Sequence, residues 1–117
     1  MLSYQGRAAL RKRPARGLLA GLWEFPNTLD GWPSLARELG ITPEMIHRSE
    51  PAGEAKHVFT HIEWRMKGML LELERLPENN TLVWVTAREM EERYALSSAF
   101  HFALPVLRER IAQKIGN

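Results

Sequence analysis

The hydrophobic and polar positions of this chain alternate most clearly between Glu63 and Leu73. Trp64, Met66, Gly68 and Leu70 fall on one face, and Glu63, Arg65, Lys67, Met69 and Leu71 on the other. A period of two is the mark of a strand with unlike faces. Strand-like runs precede it at Met45–Ser49 and Lys56–Phe59, and Pro51-Ala52-Gly53-Glu54 between them reads as a turn. Arg7–Arg13, bounded by Gly6 and Pro14, predicts a strand. Trp23-Glu24-Phe25 alternates and stops at Pro26, which predicts a short one. Leu82-Val83-Trp84-Val85 is unbroken by polar residues and reads as a fully buried strand.

Helical signals lie between and after these runs. Pro33–Leu39 predicts a short helix, with Pro33 in its first turn and Gly40 placed to end it. Thr86-Ala87-Arg88-Glu89 has the capping-box form of a helix start, and that helix is expected to run to about Arg93. Tyr94–Ser97 breaks the pattern. Ser98–Lys114 predicts a final helix, with Phe102, Val106 and Ile111 among its apolar residues and Pro105 inside it as a kink or division. Gly17–Gly21 reads as a flexible loop with buried leucines, Asn27–Trp32 as turn-rich, and Pro77-Glu78-Asn79-Asn80 as a turn. Strands on both sides of a short helix, with helices at the end, predict an α+β fold with a mixed β-sheet. Without repeats or linkers, residues 1–117 are expected to form a single domain.

Composition narrows the chemistry. With 44% hydrophobic and 26% charged residues, the chain has the make-up of a folded domain rather than a disordered one. The absence of cysteine excludes disulfides, zinc fingers and thiolate-held iron–sulfur clusters within it. Apolar runs are short, as in Gly17–Trp23, so no membrane span is expected, and no secretory signal follows Met1. A cytoplasmic, nucleoid-associated bacterial protein is the expectation. The net charge of +2 understates the local field, because Arg7, Arg11, Lys12, Arg13 and Arg16 crowd together with no acid among them. Such a cluster suits phosphates, with Arg11, Arg13 and Arg16 as the candidates for binding them. A solvated strand end accounts for the same charges equally well.

His57-Val58-Phe59-Thr60-His61 offers an aromatic face, a hydroxyl and an imidazole in one short stretch. Together they supply stacking, a small donor–acceptor and a switchable donor, a set suited to the edge of a base carrying an extra carbonyl and an extra N–H. An ordinary edge strand with a buried Phe59 explains the same residues. His57 and His61 lack an obvious third metal ligand, and His47 and His101 stand alone. A serine triad, a P-loop, a dinucleotide fingerprint and a nucleophile elbow are all absent. No catalytic residue and no metal ligand is therefore expected in this chain.

The stretch Gly17–Pro26 resembles the strand that leads into the catalytic box of Nudix hydrolases, G-x5-E-x7-R-E-U-x-E-E-x-G-U. That box sets several glutamates on one helical face to hold magnesium against a pyrophosphate. Here Pro26 and Gly40 stand too close for the full pattern. Ala36-Arg37-Glu38-Leu39-Gly40-Ile41 echoes its tail with Glu38 alone, and a lone exposed glutamate is ordinarily solvated.

In their order and spacing, Arg13–Asn27, His57–His61, Val83–Thr86 and Tyr94-Ala95-Leu96 together resemble the C-terminal domain of the MutY-type adenine DNA glycosylases. The resemblance covers nearly the whole chain and implies a Nudix-like (MutT-like) sheet flanked by helices that has given up hydrolysis. It implies recognition of 8-oxoguanine paired with adenine in double-stranded DNA, through a loop of the form Phe-Ser-His. The match is Phe59, Thr60 and His61, with Thr60 keeping the hydroxyl and adding a methyl. The implied partner is an N-terminal helical domain carrying the catalytic acids and an iron–sulfur cluster, with no cofactor in the C-terminal domain itself. The chain is then expected to be one part of a larger enzyme and not to break a glycosidic bond by itself. Two rival readings are an active Nudix nucleotide pyrophosphohydrolase and a protein-interaction module.

Overall fold

A computed structural model describes residues 1–16 and 19–116, with side chains described as far as Ile111; Gly17 and Leu18 of the predicted loop lie outside the described residues. Among the described residues six strands form one mixed sheet: β1 (Leu2–Tyr4), β2 (Arg7–Lys12), β3 (Trp23–Glu24), β4 (Ile46–Phe59), β5 (Ile62–Leu73) and β6 (Val83–Val85). Their order is β3-β2-β1-β5-β4, with β6 also on β2. All pairings among these strands are antiparallel except β1 with β5. Among the described residues three α-helices flank the sheet: α1 (Trp32–Leu39), α2 (Ala87–Glu92) and α3 (Leu104–Gly116).

Strand β2 is central. Ala8, Ala9 and Leu10 are each 0% exposed, so consecutive side chains are buried on opposite faces. Ala8 and Leu10 join Phe25, Leu70, Met90, Phe100 and Leu107 in one core, beneath α2 and α3. Ala9 joins Leu2, Leu35, Leu39, Leu71 and Leu73 in a second, beneath α1. The sheet is thus covered by helices on both sides, the α+β arrangement that the patterning predicts.

The local signals act as their chemistry dictates. Pro33 stands in the first turn of α1, and Gly40 takes φ +74° to close it. At the start of α2 the Thr86 hydroxyl accepts from the Glu89 N–H at 3.1 Å, and the Glu89 carboxylate accepts from the Thr86 N–H at 3.1 Å. Hydrogen bonding to the carboxyl from the Thr86 backbone N–H, and then from the Thr86 side chain, holds the Glu89 carboxyl below its ordinary pKa.

Two expectations are corrected, one strand is new, and one of two expected alternatives is found. Strand β1 has no counterpart among the predicted elements, because three residues are too few for a period to show. The predicted turn at Pro51–Glu54 is a register irregularity inside one long strand, β4, between Pro51 and Gly53. Proline and glycine mark turns and bulges alike, and β4 lies at the end of the sheet, where a missing N–H is tolerated. In the run Leu82–Val85, Leu82 and Val85 are buried but Val83 and Trp84 are only partly so. Of the kink or division expected around Pro105, the division is found: a 3-10 segment, Ser98–Ala103, precedes α3. Pro105 then sits in the first turn of α3, where its missing N–H has no helical partner to lose. Among the described residues no helix is long and apolar enough to cross a membrane.

Helix α3 is tied to β4 by Arg110, whose Nη2 donates to Glu50 Oε2 at 2.8 Å and whose Nε donates to Oε1. These bonds hold the Glu50 carboxyl below its ordinary 4.5. A carboxylate with a lowered folded-state pKa contributes stability that is present above the unfolded-state value and lost as pH falls through the folded one. Melting temperature is therefore expected to fall as pH drops below about 4.5. In a thermal melt series Glu50→Gln should flatten part of that acid limb; an unchanged slope would remove Glu50 from the account.

Candidate nucleic-acid interface

Strands β4 and β5 pair from Ile46–Leu73 out to Phe59–Ile62, and Thr60 and His61 form the two-residue loop that joins them. Two-residue hairpin loops favour positive φ at the first central residue, since that matches the strand twist. Thr60 takes φ +46° accordingly. For a β-branched residue this left-handed conformation costs on the order of 1–2 kcal/mol. Thr60, His61 and Ile62 are all exposed at the tip.

Phe59 anchors this tip from below. Half-buried, it meets the Trp64 ring edge-on at 4.9 Å and the His57 ring at 4.3 Å. Trp64 in turn meets Phe100 at 6.1 Å, and Phe100 meets Phe25 at 6.4 Å. A row of aromatic rings thus runs from the hairpin tip into the core. His57 belongs to this row as a ring tilted at 45° to Phe59, and among the described residues no three His, Cys, Asp or Glu side chains are grouped to hold a metal ion.

Beside the row lies a cavity of about 460 Å³, lined by Arg13, Phe25, Asn27, Trp64, Met66 and Phe102 among others. At its edge the sheet buries an ionic cluster that the sequence does not reveal. Arg11 Nε reaches Glu24 Oε2 at 3.2 Å, its Nη1 reaches Glu38 Oε1 at 3.2 Å, and its Nη2 donates to the Asn27 carbonyl at 2.7 Å. Arg13 Nη1 meets Glu24 Oε1 at 2.7 Å, and Asn27 Nδ2 donates to the same oxygen at 3.0 Å. The Glu24 side chain is 5% exposed, and those of Arg11 and Arg13 19% and 17%. The Arg13 guanidinium carbon also lies 5.1 Å from the centre of the Trp64 ring.

The three arginines singled out in the sequence therefore differ in setting. Arg11 and Arg13 are committed to an internal carboxylate, while Arg16 is exposed. Sequence reasoning misses Glu24, Asn27 and Trp64 as members of a site. Their signal is present in part: Arg11 and Arg13 share a strand face, and a lone acid in an aromatic strand needs a partner if it is buried.

The geometry and the fold agree with a known family. The NUDIX domain family matches residues 1–105. The chain belongs to it. The adenine DNA glycosylase of Rattus norvegicus is 34% identical over 112 residues, covering 86% of this chain and 22% of that protein. That of Arabidopsis thaliana is 36% identical over 83 residues, covering 56% of this chain and 13% of that protein. The chain spans about a fifth or less of the glycosylases it matches. The solution structure of the E. coli ORF135 protein shares the fold, with a TM-score of 0.50 and 21% identity over 99% of this chain and 90% of that one. These matches support a NUDIX domain of the MutY C-terminal kind.

Whether the residues of this NUDIX domain fit the magnesium that the resemblance to Nudix hydrolases implies depends on the donors available. Magnesium takes near-octahedral oxygen ligation, usually with several carboxylates or phosphates around it. The two carboxylates near the end of β3 and α1, Glu24 and Glu38, both face Arg11. That donor set does not fit the ion.

Proposed function

We propose that this domain recognises 8-oxoguanine opposite adenine in double-stranded DNA, on behalf of an adenine glycosylase catalytic domain. The observation that carries the reading is the exposed Thr60–His61 tip, held at the end of an aromatic row by Phe59. The likeness to adenine DNA glycosylases supports it.

8-Oxoguanine differs from guanine by a carbonyl at C8 and an N–H at N7. A threonine hydroxyl can donate to that carbonyl or accept from that N–H, and an imidazole can supply a second donor. Phe59 would sit at the side of the base stack, with its far edge fixed by Trp64. The phosphate candidate with an open side chain is Arg16, whose contact would set register without reading sequence. The catalytic domain, with its iron–sulfur cluster, would extract the adenine from the duplex for cleavage.

The test is a titration of this chain at low salt against duplexes that differ only in 8-oxoguanine:adenine, guanine:adenine or a matched pair. One hydrogen bond gained in a desolvated site corresponds to roughly tenfold tighter binding of the oxidised mispair. Equal affinity for all three duplexes, or no binding to any, would overturn the proposal.

A further inference from the structure

We infer that Arg13 is a positioning residue for the hairpin tip, holding Trp64 and through it Phe59. This rests on the proposed reading of the tip and adds a residue to it. The outer half of the β4–β5 hairpin needs such a support. Among the described residues β1 pairs β5 only at Leu71 and Glu72, and from Gly68 to the tip β5 pairs with β4 alone. A two-stranded ribbon is marginal by itself and takes its orientation from whatever packs on its face. Near its base the ribbon rests on Phe102, whose ring lies 3.1 Å from the point where a Gly68 Cβ would stand. Towards the tip, Arg13 and Phe100 both reach the Trp64 ring from the body of the domain.

Arg13 suits this task because a guanidinium is planar. Its Nη1 bonds the buried Glu24 carboxylate at 2.7 Å while its guanidinium carbon lies over the indole, 5.1 Å from the ring centre. Trp64 then presents its ring to Phe59, and Phe59 directly precedes the strained Thr60. A strained residue persists only where its surroundings determine it. The geometry thus links a buried ion pair to the conformation of the two residues proposed to read the base.

Arg13→Lys keeps the charge beside Glu24 but loses the planar guanidinium over the indole. In a titration against the same three duplexes it should leave affinity for undamaged duplex within about twofold and lower the preference for the oxidised mispair about fivefold, the scale of one lost cation–π contact. Trp64→Leu should do the same, and Trp64→Phe should retain most of the preference. If Arg13→Lys weakens binding to all duplexes equally, the residue is a phosphate contact and the inference fails. If His61→Ala loses the preference while Arg13→Lys and Trp64→Leu keep it, the inference alone fails. If His61→Ala also keeps it, the reading of the tip fails with it. A thermal melt of each variant shows whether a loss comes from unfolding, and Trp64→Phe supplies the folded control.

Discussion

His61→Ala is expected to cost the domain roughly tenfold in its preference for 8-oxoguanine:adenine over guanine:adenine, because a hydrogen bond lost from a desolvated site costs about 1–3 kcal/mol. His61 is exposed and outside the aromatic row, so its removal should leave the melting temperature nearly unchanged. Phe59→Ala should also lower the preference, but with a loss of stability, since Phe59 packs on Trp64 and against the core. Thr60 gives a sharper signature. Thr60→Gly removes the hydroxyl and relieves a φ of +46°, so it should raise stability by about 1 kcal/mol while lowering the preference. Thr60→Ser should keep the preference, because the hydroxyl stays. Duplex titrations and melts on the same variants check all four. Unchanged preference in His61→Ala and Thr60→Gly together would remove this loop from recognition.

The tip is legible in the sequence as a set of functional groups, but its conformation is not. Phe59-Thr60-His61 can be read as stacking face, hydroxyl and imidazole from residue type alone. That Thr60 sits in the left-handed region depends on a hairpin with no residue to spare between Phe59 and Ile62. The alternation from Glu63 to Met69 is legible because one face is exposed and the other half-buried along that length. The capping box of α2 is legible because its bonds are local. The long continuity of β4 is not, since a proline and a glycine mean a turn in the interior of a chain and a bulge at a sheet edge.

Charge is the least legible feature. Arg11, Lys12 and Arg13 look alike in a basic run, yet strand alternation separates them: Lys12 is exposed, while Arg11 and Arg13 turn towards Glu24. The pairing depends on the antiparallel register of β2 and β3, which sets Arg11 directly opposite Glu24. No local pattern shows that register before the intervening loop has brought the strands together. The aromatic strand Trp23-Glu24-Phe25 therefore draws attention to its rings, when the residue between them organises the site.

Glu24→Leu should accordingly destabilise the domain more than a change at any residue of the hairpin tip. It leaves two largely buried guanidiniums without their shared carboxylate, and breaking a buried pair from one side costs about 3–5 kcal/mol. For a domain of this size that corresponds to a melting temperature lower by roughly 10–20 °C. Much of the cost is the stranded charge rather than the lost attraction, and a cycle can separate the two. In an Arg11→Met, Arg13→Met background the added cost of Glu24→Leu should shrink to about 1 kcal/mol or less, because no cation remains to be left unpaired. Strand β3 makes the result structural as well as electrostatic. It has two residues and two register pairs, and Trp23 bonds onward to Ala95 and Ser97 through its backbone. Loosening Glu24 should therefore free the Ala95–Ser97 connection, and amide exchange at Trp23 and Ser97 should quicken in Glu24→Leu more than at Ala8 or Leu10. A uniform increase across all four amides would mean that Glu24 supports the fold as a whole and not this strand, whereas a local increase ties the ion pair to the edge of the sheet from which Arg13 reaches Trp64.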